Sequence, residues 1–502
     1  MRVSWAAAAL IALAVPSSVT ASGAGARAWA PLPPGSTALL DANHVVLRIS
    51  NAGHWASPWD DPWPALEYPR GSGSGLFDAG GLWAAAKLDG AWRVAIADFG
   101  SEFVPGDAPG GVSSIDEVRH RVFRIVRGDT TGHAAWLAHA APMGAPVRSG
   151  GSTPADLGDV TVWTVATDAA PVVSAIPVLG GRLSAPLGLE VRLTGWAFDR
   201  PGALRDVAYF RWRLTNRGAV ALDSLRLGLF LDPLGLAGSP CWVASDTSRD
   251  LVYAWRQRDL DPVYGAAGPA AGVRLLRGPV RAGRAARMSA VSVWPNGSDP
   301  ADAGQYVNAL RGLRPDGVAF VDSSTGAPTT FWSPGDPVTG LEWVAEGPPH
   351  GHTVLAIEPV ALEPGESTEF TFAVVAGQGG DRFDSIRRMR ANADEARAQW
   401  AADFAQLPPR EVLPLRAGPN PAAGEVRLSW SVTEGPRPMR ADVYDLSGRR
   451  VRTLLRATLP VGDHALVWDG RDDAGLALPQ GVYVVRLRSG VREAKARVTL
   501  LR

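Results

Sequence analysis

The stretch "HTVLAIEPVALEPGESTEFTFAVVAG", residues 352–377, alternates cleanly around a turn. Phe370, Phe372 and Val374 alternate with Glu369, Thr371 and Ala373, and Pro364-Gly365 separates this run from the apolar run before it. Period-two patterning rich in β-branched and aromatic residues reads as strand, and Pro-Gly reads as a turn. Working outward, "HVVLRIS" (44–50), "GAWRVAIADF" (90–99), "EVRHRVFRIV" (117–126) and "VTVWTVATD" (160–168) repeat the pattern between Gly, Pro and Asp punctuation. "VAYFRWRLTNRG" (207–218) and "SLRLGLFLD" (224–232) read as a strand pair joined across Asn216-Arg217-Gly218. One segment departs from the period. Ile386, Met389, Ala393, Ala396, Trp400 and Phe404 recur at three- and four-residue steps, which predicts an amphipathic helix over 384–404, stopped by "LPP" at 407–409. The expected class is mainly β: a large antiparallel β-sandwich region with one packed C-terminal helix, followed by a second, smaller sandwich.

Composition narrows the function classes. Fifty basic and fifty acidic residues cancel, so no electrostatic footprint for nucleic acid or an anionic membrane is present. Cys241 stands alone and excludes an intrachain disulfide. Arg2 followed by the apolar run Trp5–Val15 and then small residues predicts a secretory signal peptide and leader over 1–30; the run is too short to span a bilayer. No later stretch is long enough for a transmembrane span, so the expected location is secreted or at the outer cell surface. The β-rich extracellular region is placed at 31–408, with a division into about 31–170 and 171–408 as one option. The Pro-rich run 406–416 is the expected linker to a module at 412–502.

That module carries "PNPAAG" (419–424), "VYDLSGRRVRTL" (443–454), "GDHALVWDGRDDAG" (462–475) and "PQGVYVVRL" (479–487). In order and spacing these resemble the FlgD-like immunoglobulin-like domains that end many secreted bacterial proteins, related in pattern to the C-terminal sorting domains of type IX secretion. The resemblance implies an immunoglobulin-like sandwich used for sorting or as an accessory, with the secretion machinery or cell envelope as partner. Asp469, Asp472 and Asp473 then read as turn-closing residues rather than a metal loop. Residues 65–106, 306–340 and 374–386 resemble segments of large β-rich secreted bacterial proteins with such tails, a likeness that implies no activity. Those relatives carry an acidic loop after the strand ending at Asp232. Here only Asp232 and Asp246 remain of it, so calcium, which takes six to eight oxygens, is expected to be weakened or lost there.

Catalytic motifs are sparse. The histidines form no HExxH, and "GSGSG" (71–75) has glycine where a serine nucleophile would stand. His350 and His352 beside Glu346 read as solvated loop residues, with a two-histidine, one-carboxylate site as the rival. Tryptophan is abundant, at 19 residues. Trp55, Trp59 and Trp63 recur every fourth position in a proline-interrupted loop with Asp60 and Asp61, where rings could stack on sugars and carboxylates bind hydroxyls. The rival is that these rings cap the end of the sandwich. The leading expectation is a structural, adhesive or accessory protein without catalytic residues. The alternative is an extracellular carbohydrate-binding or glycan-cleaving protein using that loop.

Overall fold

The computed structural model describes residues 36–501 apart from 57–64, 108–117, 170–182, 234–240, 409–412 and 433–436 and the positions 262, 265, 266, 282, 346, 348–350 and 491. The expected signal peptide and leader, 1–30, lie outside the described residues. Among these residues the protein is mostly strand, in antiparallel sheets, with few helices. Two large sheets carry the main region. One has nine strands, with Ser367–Gly377, Val207–Asn216, Leu189–Ala197 and Val160–Thr167 at its centre. The other has six, running from Met288–Pro295 through Gly351–Leu362 and Leu222–Asp232 to Ala79–Leu88.

Strand alternation builds three apolar layers from these two sheets. Leu82 and Ala84 of one sheet meet Phe210, Trp212, Leu193 and Phe372 of the other in the central core. The opposite faces are also buried. Trp83, Phe230 and Trp294 pack under the short helix Ala303–Ala309, whereas Trp196, Tyr209 and Tyr253 pack under the helix Arg382–Ala401. Burial on both faces leaves strands such as "VTVWTVAT" buried throughout, with threonine and valine rather than charged residues between the larger side chains.

The predicted helix forms, shifted at both ends to Arg382–Ala401. The Asp381 side chain caps it, accepting from Asp384 N at 2.7 Å, and Asp403 and Phe404 end it in left-handed conformation (φ 49° and 57°). Ile386, Met389, Ala393 and Ala396 are its buried face. Gly377 lets that face approach, because a Cβ there would lie 2.3 Å from Met389 N.

One expectation is corrected. Val207–Asn216 and Leu222–Asp232 are not a hairpin pair, since the first lies in the nine-stranded sheet and the second in the six-stranded one. The chain arches between sheets here, and again between Gly351–Leu362 and Ser367–Gly377 across Pro364-Gly365. Asn216 joins the two arches. It is fully buried, its Nδ2 donates to Val220 O and Leu362 O (both 2.9 Å), and its carbonyl accepts from Gly365 N at 2.7 Å. The strands on either side of residue 170 share both sheets, so the option of a division there does not separate two cores.

Residues 413–501 form a smaller sandwich with its own core. Arg416–Gly418, Val426–Val432 and Gly462–Trp468 face Arg437–Tyr444, Arg450–Leu459, Gly481–Ser489 and Arg492–Leu500, with Trp468, Val443 and Val485 buried between them. Its acidic loop is closed by backbone N–H groups, two sets within the loop and one on the strand Arg450–Leu459. Asp472 Oδ1 accepts from Ala474 N and Leu476 N, Asp473 Oδ1 from Thr453 N, and Asp469 Oδ1 from Arg471 N. The two sandwiches meet at Arg492, whose Nε donates to both oxygens of Asp199 at 2.8 and 2.7 Å, both side chains being buried.

Candidate functional site

The sequence-derived candidates scatter. Trp55 is fully buried on the strand Trp55–Ala56, its ring 5.2 Å from Phe210 and stacked 6.1 Å from Trp212. Gly80, its cross-strand partner, makes the room, since a Cβ there would stand 1.9 Å from Trp55 Nε1. Trp55 is therefore a core residue, and its sugar-stacking role is corrected: no ligand face reaches a ring enclosed on both sides. Trp59, Asp60, Asp61 and Trp63 lie outside the described residues, as do Glu346 and His350.

Asp246 is committed to local partners. Ser248 Oγ (2.6 Å) and Arg249 (2.8 Å) donate to it, and Arg390 lies 3.6 Å away. Burial works to raise its pKa, but these donors hold it below the usual carboxylate value. Asp232 has entirely different neighbours, so the two aspartates do not converge on one cation position. No group of three or more His, Cys, Asp or Glu side chains among the described residues is arranged to hold a metal.

His352 is buried, not solvated as the sequence suggests. It sits on Gly351–Leu362 opposite Trp294, and its ring is enclosed by Phe99, Phe230 and Trp294. Its Nδ1 lies 2.6 Å from Asp299 Oδ1, which also accepts from Trp294 Nε1 at 2.9 Å. Its Nε2 faces Asp232 Oδ1 at 3.5 Å. Asp98 joins from the neighbouring loop, with Tyr306 OH 3.5 Å from its Oδ2. Burial pushes Asp232 up to about 7, reinforced by Asp78 and Asp299 and opposed by His352. Burial likewise pushes Asp98 up to about 6. For His352, burial works against the charged ring, but the Asp299 hydrogen bond and the nearby carboxylates outweigh it and raise its pKa. Burial thus works toward the neutral form of both Asp232 and Asp98. The cluster's histidine is sealed from solvent; Asp299, about a third exposed, is its outlet.

Trp294 forms the wall between this cluster and an open cleft of about 780 Å³. The cleft's aromatic lining is Trp294, Phe320, Trp332 and Trp343, and Arg314 and Asp316 stand at its rim. Trp332 is the half-buried member. It meets Phe320 and Trp343 edge to face at 5.2 and 5.3 Å, and its Nε1 donates to Val243 O at 3.1 Å. The backbone around it is pinned. Trp332 N donates to Val291 O, and Ser245 Oγ donates to Trp332 O. Ser333, fully buried with φ 47°, accepts from Ala345 N through its hydroxyl. A non-glycine residue held in left-handed conformation marks a backbone fixed by its surroundings.

Sequence reasoning missed this group because its rings come from positions 294, 320, 332 and 343, with no shared period. The excess of tryptophan was the available signal, but it says nothing of which rings share a surface.

Residues 417–490 match the FlgD Ig-like domain family. No curated protein sequence matches the chain. Among solved structures, a polysaccharide lyase is 13% identical at a TM-score of 0.20, over 68% of this chain and 39% of the lyase. Dimeric latent PorU from Porphyromonas gingivalis is 9% identical at 0.16, over 68% of this chain and 31% of PorU. The BSP domain of a biofilm-associated protein is 9% identical at 0.19, over 55% of this chain and 60% of that domain. The chain thus spans less than two thirds of the length of each, and none of these overlaps assigns it an activity. No helix among the described residues is long and apolar enough to cross a membrane.

Proposed function

We propose that this chain is an exported bacterial protein that works at the outer cell surface by binding and display, in a structural, adhesive or accessory role. The observation that carries this reading is the contrast between its two polar-aromatic features. The titratable cluster around His352 is sealed beneath Trp294, where no substrate reaches the imidazole, while the open cleft beside it is lined by rigidly held rings. Concave, mostly apolar sites with a few polar groups at the edge suit recognition. The C-terminal immunoglobulin-like module acts as the address, engaging the secretion machinery or the cell envelope. The apolar N-terminal run, Trp5–Val15, supports export.

Cell fractionation tests this reading. The full chain is expected in the surface or medium fraction, and a version ending at residue 408 is expected to lose surface retention. Retention of the full chain in the cytoplasm would remove the export reading, and unchanged display of the shortened chain would remove the address role.

A further inference from the structure

The geometry points to a specific ligand class for the aromatic cleft: we infer that it takes a short, neutral oligosaccharide, one ring of which lies against Trp332. This deepens the binding role proposed above and rests on it. A pyranose is amphipathic in a particular way, with apolar C–H groups on its faces and hydroxyls around its edge. The cleft has the complementary layout. Its rings line the interior, and the polar groups Ser298, Gln305, Arg314 and Asp316 stand around them.

Three details favour a neutral sugar over other occupants. Arg314 and Asp316 pair with each other at 2.9 Å and are both about half exposed, so the rim offers donors and an acceptor with no net charge. Paired guanidinium and carboxylate groups suit adjacent hydroxyls, which both donate and accept; a uronate or phosphate would find the Arg314 guanidinium already neutralised by Asp316. The Trp332 indole N–H is already used by Val243 O, so the ring offers the ligand its face rather than a donor. The volume of about 780 Å³ lies within the usual range of small-ligand sites. Because Ser245, Ser333 and Val291 fix the backbone around Trp332, little ordering would be lost on binding.

The test uses the full chain and intrinsic tryptophan fluorescence, backed by calorimetric titration. The probes are cellohexaose, maltohexaose, mannohexaose and chitohexaose, with hexagalacturonate as the anionic control. At least one neutral hexasaccharide is expected to bind and hexagalacturonate is not. Trp332→Ala should weaken binding about tenfold or more. Since that change also removes packing against Phe320 and Trp343, Asp316→Ala is the second variant. It lies on the exposed rim, should leave the melting temperature unchanged, and should weaken binding about threefold to tenfold through a lost hydrogen bond. Binding of none of the neutral sugars, binding that survives both substitutions, or preference for hexagalacturonate overturns the assignment. These outcomes do not depend on where the protein resides, so they separate from failure of the export reading.

Discussion

At position 80 the absence of a side chain is what lets Trp55 into the core. A methyl group there would overlap the indole, which is confined by Phe210, Trp212 and Phe372. Gly80→Ala is expected to destabilise the main region by about 3 kcal/mol, the upper end of ordinary overpacking, read as a lower denaturation midpoint at unchanged slope. The His352 cluster gives a pH prediction. An unfolded Asp232 ionises near its ordinary value, while the folded carboxyl keeps its proton up to about 7, so the folded state binds more protons in that window and stability falls as pH rises through it. His352 has the same sign. Its raised folded pKa means stability present below the ordinary histidine value is lost as pH climbs through the folded one. His54 has the opposite sign: burial lowers it to about 4, so acidification below the ordinary histidine value destabilises. From about pH 5 to about pH 8, Asp232→Asn should therefore show a smaller drop in melting temperature than the unmodified chain. An equal drop in both would remove Asp232 from the account.

Elements were legible to different degrees. The helix was readable because Ile386, Met389, Ala393 and Ala396 mark one face, and a face is a local property. Its cap is testable: Asp381→Ala should cost about 1 kcal/mol, seen in thermal unfolding, by leaving Asp384 N without its acceptor. Strands were readable for the same reason, but their partners were not. The Asn216-Arg217-Gly218 segment has hairpin chemistry, yet it joins strands in different sheets. The deciding interactions come from far away in sequence, chiefly the Asn216 Nδ2 bond to Leu362 O. Asn216→Ala would leave the buried Leu362 carbonyl without this donor and also remove the more exposed bond to Val220 O. A loss of about 3 kcal/mol is expected by urea titration, well above the effect of an exposed turn asparagine.

On the scale of the molecule, the two sandwiches have separate cores and, among the described residues, meet at the buried ion pair Arg492–Asp199. Removing one partner of a buried pair leaves an uncompensated charge, which costs about 3–5 kcal/mol. Arg492→Ala should therefore loosen the C-terminal sandwich from the main region without unfolding either. Calorimetry is expected to resolve two transitions for the variant, and limited proteolysis to cut faster in the 406–416 connection. A single transition and an unchanged cutting rate would show that other contacts hold the sandwiches together.

Everything local was legible along the chain: the strand period, the helical face, the turn-closing aspartates at 469 and 472, and the immunoglobulin-like pattern of the tail. Each depends on residues a few positions apart, whose geometry the backbone dictates. Only the tertiary structure decided which sheet each strand entered, that Trp55 was core, that His352 lay sealed between Asp232 and Asp299, and that Trp294, Phe320, Trp332 and Trp343 lined one cleft. Period two states which way a side chain points, inward or outward. What it points at is set by packing between segments tens to hundreds of residues apart, and no spacing along the chain encodes that.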